Sequence, residues 1–89
     1  MRSQALTIVN RLGLHARAAA KFVDLASQFN SEIILKRNDR EVNGKSIMGI
    51  MMLAAGQGAD LELTVEGHDE DEAMEALCEL VVSGFGEND

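Results

Sequence analysis

The chain has 89 residues, 46% of them apolar, with no Trp, Tyr or Pro, and a formal charge of −7 at pH 7. That length supports one core and not a second, so residues 1–89 read as a single domain whose interior must be filled by aliphatics, alanines and methionines. One cysteine excludes an intrachain disulfide, and the lack of a leader or of an apolar run long enough to cross a bilayer predicts a soluble, cytoplasmic protein without membrane insertion.

The charge is divided. All eight basic residues lie at or before Lys45, with four acids among them, whereas the remainder carries eleven acids and no Lys or Arg. An acidic half of that kind argues against nucleic acid or anionic lipid as a partner, and leaves the basic half to meet an acidic one.

Residues 4–9 alternate, with Leu6 and Ile8 on one face and Thr7 and Val9 on the other, the pattern of a half-buried strand. A connector over 10–14 follows. From Ala16 the period changes: Ala18, Ala19, Phe22, Val23, Ala26 and Phe29 recur at three- and four-residue steps, predicting a helix with Asn30 as a left-handed stop. Residues 32–37, built on Ile33, Ile34 and Leu35, form a second strand, and the Asn38-Asp39 turn returns the chain into a third over 40–42.

After the loop Asn43-Gly44-Lys45, Ser46 has the character of an N-cap for a short helix to about Leu53, broken by Gly56 and Gly58. Residues 60–66 give the cleanest alternation, with Leu61, Leu63 and Val65 opposed to Asp60, Glu62, Thr64 and Glu66, so one face of the sheet is wet. Asp69 with Glu72 predicts a capping box, and Ala73, Met74, Leu77, Leu80 and Val81 form the buried stripe of a last helix ended by Gly84. Phe85 is expected to fold back on the core, and residues 86–89 to fray. The order βαββαβα, with right-handed crossovers on one face, predicts an open-faced two-layer α+β sandwich. Its four-stranded antiparallel sheet has the order 1-4-2-3, with three helices on one side.

The chemistry concentrates at Leu12-Gly13-Leu14-His15-Ala16-Arg17, where a strand pattern gives way to a helical one. Free N–H groups of a helix's first turn, the positive end of its dipole and a guanidinium fork favour a doubly charged anion at one point, and His15 stands there with a nucleophilic nitrogen. Histidine can attack phosphorus without a base beside it, so one reading is a transiently phosphorylated His15 stabilised by Arg17. The plain alternative is a loop histidine that caps a helix. Ile47, Met48, Met51 and Met52 are more apolar than a short helix needs, which predicts a helix half buried and half exposed as a docking patch. Ser46 is a helix cap on which a phosphate would add negative charge beside that patch.

His68, among Glu66, Asp69, Glu70 and Asp71, has no second histidine or cysteine at ligand spacing, so no metal is expected. Cys78 lies on the last helix without a basic neighbour and reads as packing. No acid sits near His15 in sequence.

Two blocks, Gly13-Leu14-His15-Ala16-Arg17 and Asn43-Gly44-Lys45-Ser46-Ile47-Met48-Gly49 followed by Met51, make the chain resemble the histidine-containing phosphocarrier family (HPr/NPr) of the bacterial phosphoenolpyruvate-dependent phosphotransferase system. The resemblance implies a stoichiometric carrier without cofactor or metal, rather than a turnover enzyme. His15 would be phosphorylated on Nδ1 by enzyme I and would pass the group to an enzyme IIA, serving sugar uptake and its regulation. It implies that Arg17 steadies the phosphate, that Ile47, Met48 and Met51 dock partners, and that Ser46 is the target of an HPr kinase/phosphorylase in some members. Many members have proline where this chain has Ala18. The His-Ala-Arg-Ala-Ala-Ala-Lys run and the Ser83-Gly84-Phe85 ending resemble the nitrogen-branch carrier, and Lys45-Ser46 the sugar-branch one, so both branches stay open. A monomer is expected. The rivals are a ferredoxin-like RNA-binding or amino-acid-sensing domain, the RNA version disfavoured by strands without aromatics, and a purely regulatory carrier that titrates a transporter or kinase.

Overall fold

The computed structural model describes residues 1–87. Its elements run β1 (Arg2–Thr7), α1 (Ala16–Ala26), β2 (Glu32–Arg37), β3 (Arg40–Asn43), α2 (Ile47–Met52), β4 (Asp60–Glu66) and α3 (Glu70–Val82), followed by a 3-10 turn at Gly84–Gly86. The four strands form one sheet in the order β1-β4-β2-β3, every neighbouring pair antiparallel. This is the predicted order: β1 and β2 leave a gap that β4 fills.

Register follows the alternation. Leu6 lies opposite Leu61, Leu35 opposite Leu63 and Ile33 opposite Val65, so the apolar side of all three strands lands on one face. That face is covered by Ala18, Ala19, Phe22 and Ala26 of α1, Ile50 of α2, and Ala73, Met74, Leu77 and Val81 of α3, all buried. Asp60, Glu62 and Glu66 stay exposed on the other side.

Element ends depart from the periodic reading where long-range hydrogen bonds decide them. β1 begins two residues early, because Arg2 and Ser3 pair with Val65 and Thr64, and it ends at Thr7; Ile8 continues outside it, its N–H on the Ala59 carbonyl at 2.9 Å. α1 stops at Ala26, not Phe29. Gln28 and Phe29 bond three residues back, to Leu25 and Ala26, and Asn30 is no left-handed stop; its N–H goes to the Asp69 carboxylate at 2.8 Å. α2, by contrast, ends where expected, at Met52 with Leu53 as its C-cap: Arg40 donates to the Met52 carbonyl at 2.9 Å and Arg37 to the Leu53 carbonyl at 3.0 Å, while Ala54 turns the chain with φ 50°.

The capping box predicted at Asp69 and Glu72 does not form. Asp69 precedes α3 without capping it, because its carboxylate accepts from the Asn30 N–H, the Ser31 N–H and the Ser31 hydroxyl across the sheet end. The reach-back is made by Glu70, whose Oε1 accepts from the Gly67 N–H at 3.2 Å. Those bonds, the Ser31 hydroxyl first, hold the Asp69 carboxyl below the usual carboxylate range. Ser31 is 1% exposed, so losing Asp69 strands a buried hydroxyl and amide. Asp69→Ala therefore lowers the melting temperature at pH 7 by about 4–8 °C. The stability Asp69 adds is fully present above the ordinary carboxylate range and is lost as pH falls through its lowered folded-state value, so the gap between wild type and variant closes in acid. Thermal melts of both across that range check the sign.

Gly84 ends α3 as expected, with φ 67°, and Phe85 is 1% exposed. Gly86 and Glu87, expected to fray, are instead held in a turn, their N–H groups on the Ser83 carbonyl at 3.3 Å and the Gly84 carbonyl at 3.1 Å; residues 88 and 89 lie outside the described residues.

Candidate functional site

The β1–α1 connector is a turn pinned to the stretch after α2. The Gly13 N–H bonds the Asn10 carbonyl at 3.2 Å, the Asn10 Nδ2 returns to the Gly13 carbonyl at 2.8 Å, and the Leu14 N–H reaches the Ala55 carbonyl at 2.8 Å. Gly13 takes φ 66° and lies so close to Ala55 and Gly56 that a Cβ there would meet their backbone. With Leu14 buried beneath it, His15 emerges as the extended N-cap residue of α1, its side chain 28% exposed.

The first intrahelical bond runs from the Ala19 N–H to the His15 carbonyl at 2.9 Å, so the amides of Ala16, Arg17 and Ala18 have no intrahelical acceptor. His15 does not cap them with its side chain. Arg17 is exposed and makes no ion pair with the described residues.

The residue the sequence reading missed is Glu87. Its Oε2 pairs with His15 Nε2, and its Oε1 accepts from Asn10 Nδ2 at 3.0 Å. The bond from His15 first, then that from Asn10, holds the Glu87 carboxyl below its usual range. Glu87 is brought there by the turn before it: Phe85, buried with φ 59°, anchors the chain, and Lys21 Nζ takes the Phe85 carbonyl at 2.8 Å. The aromatic between two glycines was the available signal, since fixing Phe85 also fixes the acid two residues on. Nδ1 of His15 has no hydrogen bond among the described residues.

The second sequence block is placed separately. Ser46 caps α2, its Oγ accepting from the Gly49 N–H at 3.0 Å, while Lys45 Nζ turns to the Phe29 carbonyl at 2.7 Å. Only Ile50 of α2 is buried. Ile47 (41%), Met48 (74%), Met51 (42%) and Met52 (59%) are exposed, a larger share than the even division expected, because six residues give the helix a single inward position. α2 packs against α1, the helix His15 opens. Cys78 is half-buried, its Sγ 3.5 Å from Met74 Sδ, and burial pushes its thiol up. His68 is exposed, and no group of three potential metal ligands exists among the described residues. No helix among them is long and apolar enough to cross a membrane.

A family model described as the PTS HPr component phosphorylation site matches residues 2–83. Phosphocarrier protein HPr of Neisseria meningitidis serogroup A is 55% identical over 89 residues, the full length of both chains. Among solved structures, HPr-C-His from Thermoanaerobacter tengcongensis superposes with a TM-score of 0.95 at 49% identity over 99% of each chain. An HPr dimer from the same organism gives 0.78 at 49% identity, covering 98% of this chain and 100% of that one. The chain belongs to the HPr family, the phosphocarriers of the phosphotransferase system.

Proposed function

We propose that His15 accepts a phosphoryl group on Nδ1 from phospho-enzyme I and hands it to a histidine of an enzyme IIA. One observation carries this reading: Glu87 engages Nε2, and a neutral ring that donates from Nε2 to a carboxylate carries its lone pair on Nδ1, at the mouth of a helix N-terminus whose first amides have no intrahelical acceptor. In an in-line transfer, the Nδ1 pair bonds phosphorus as the donor's N–P bond breaks, and the donor imidazole keeps the electron pair. The amides of Ala16 to Ala18 and the Arg17 guanidinium then hold the equatorial oxygens. Arg17→Ala slows uptake by about 10–100-fold without abolishing it, because the amides remain; single-turnover kinetics with phospho-enzyme I measure this.

The exposed side chains of Ile47, Met48 and Met51 serve as the surface that both partners share, methionine adapting to more than one shape. Ser46 adds a control point for an HPr kinase/phosphorylase: its phosphate would sit on a helix N-terminus, which favours it, beside a docking patch, which does not. Ser46→Asp keeps the cap, since aspartate caps as well as serine. It slows transfer from enzyme I by about tenfold, equivalent to about 1.4 kcal/mol, with an unchanged melting temperature; equal rates would remove the regulatory role.

We assign the protein to the cytoplasm, and its working unit as one chain, the latter because the His15 surroundings come from its own residues 10–21 and 84–87. Sugar uptake is the primary reading. Lys45-Ser46 favours it, whereas the His-Ala-Arg-Ala-Ala-Ala-Lys run and Ser83-Gly84-Phe85 favour the nitrogen branch, with a mainly regulatory role. Purified enzyme I of each branch, with phosphoenolpyruvate, is the test. Faster uptake from the sugar-branch enzyme, with phosphate located on Nδ1 of His15 by NMR, supports the primary reading; the reverse order moves the protein to the nitrogen branch, and phosphate found elsewhere ends the carrier assignment of His15.

A further inference from the structure

Two polar side chains are buried among the described residues, Ser31 and Asn10. Ser31 belongs to the Asp69 bonds at the far end of the sheet; Asn10, 4% exposed, shares Glu87 with His15. Its Nδ2 donates to the Gly13 carbonyl at 2.8 Å and to Glu87 Oε1 at 3.0 Å, while the other oxygen of Glu87 takes His15 Nε2. Both neighbours are acceptors only, so the amide fits one way round: turned over, its oxygen would face a carbonyl and a carboxylate. The Oδ1 so placed has no partner among the described residues. Leaving it bare is unfavourable, and the two Nδ2 bonds are what hold the side chain there.

We infer that Asn10 is a positioning residue for phosphoryl transfer. It fixes the Glu87 carboxylate that keeps the proton on Nε2 of His15, so that Nδ1 is the nitrogen presented to phosphorus. The inference rests on the reading of His15 as the phosphorylated group.

The proton count shows what the pair contributes. On receipt, the Nδ1 lone pair forms the bond to phosphorus while the Nε2 proton stays in place, so the ring becomes cationic and Glu87 faces its positive edge. On donation, the N–P electron pair returns to Nδ1 and the ring departs as the neutral Nε2–H tautomer, with no proton fetched from water. Without a fixed Glu87 the two neutral tautomers mix, and the Nδ1–H form has no lone pair where the phosphoryl group must go. Asn10 also ties the Gly13 turn to the C-terminal stretch, so the ring is oriented from both sides by one amide.

The test compares wild type, Asn10→Asp, Asn10→Ser, Glu87→Gln and the Asn10→Asp/Glu87→Gln double variant. The readouts are the ring-nitrogen NMR shifts of His15 at neutral pH and the rate of transfer from phospho-enzyme I. Asn10→Asp sets a third acceptor against Gly13 and Glu87, whereas Asn10→Ser can still bond the turn but is too short to reach both groups. Each single variant moves the ring toward mixed tautomers and slows transfer by about tenfold. The double variant is no slower than either single one, since both residues act through one contact. A purely structural Asn10 would lower the melting temperature and leave ring shifts and rates at wild-type values. That result in Asn10→Ser, or in Asn10→Asp where it folds, overturns the inference. Failure of the underlying reading looks different: His15→Ala would still take up label.

Discussion

Incubated with phosphoenolpyruvate and enzyme I, His15→Ala takes up no phosphoryl group, whereas the wild-type chain takes one per molecule. The loss is complete because phosphorus must bond a nitrogen lone pair, and alanine brings none to the mouth of α1. The second imidazole, His68, is exposed beyond β4 and follows Gly67, away from the α1 amides, so it offers no substitute. The fold tolerates the change: His15 is 28% exposed, caps no amide through its side chain, and its backbone carbonyl still starts the helix. Wild-type circular dichroism beside absent label is therefore the expected pair of results, and label at full stoichiometry would end the carrier reading. The variant carries a second signature. Since the His15 bond is the largest cause holding the Glu87 carboxyl low, removing the imidazole raises that carboxyl toward its ordinary range, with the smaller pull of Asn10 left in place. Carboxyl NMR titration reads the direction.

What could be read from the chain alone is what periodicity encodes. β4 is Asp60–Glu66 in both readings because seven alternating residues have one register in which Leu61, Leu63 and Val65 all reach the core. Ser46 and the Asn38-Asp39 turn were legible because each acts on neighbours within three residues: the Ser46 oxygen on the Gly49 amide, and Asn38, with φ 55°, in the link between Arg37 and Arg40. Two helix ends were not: α1 stops at Ala26, short of Phe29, and Asp69 leaves its own helix for Ser31, choices that depend on which elements end up side by side. Glu87 is the extreme case, 72 residues from the histidine it touches. His15 and Arg17 could be placed at a helix start by local pattern, but the carboxylate that distinguishes the two ring nitrogens arrives only when the sheet, α1 and the C-terminal turn have assembled.

Gly13→Ala destabilises the protein by about 2–4 kcal/mol, combining left-handed strain with overpacking. Two physical demands meet at this residue. Its φ of 66° lies where a side chain is disfavoured, and a Cβ built there stands 2.8 Å from the Gly56 Cα and closer still to the Ala55 carbonyl oxygen. Backbone cannot rotate away as a side-chain tip can, so the connector must lift from the stretch it is pinned to. The same Ala55 carbonyl accepts the Leu14 N–H at 2.8 Å, and Asn10 holds the Gly13 carbonyl at 2.8 Å, so lifting strains both bonds that set the exit direction of His15. Urea unfolding at neutral pH measures the stability loss. Transfer from phospho-enzyme I, measured where the variant is still more than nine-tenths folded, falls by about tenfold, as expected when a reacting atom is displaced by part of an ångström. Gly58→Ala is the control: its φ is 87°, yet nothing lies within 4 Å of the Cβ position, so the strain is present without the collision. If the two variants lose equal stability and transfer rate, the close approach at Ala55 and Gly56 is not what positions the histidine.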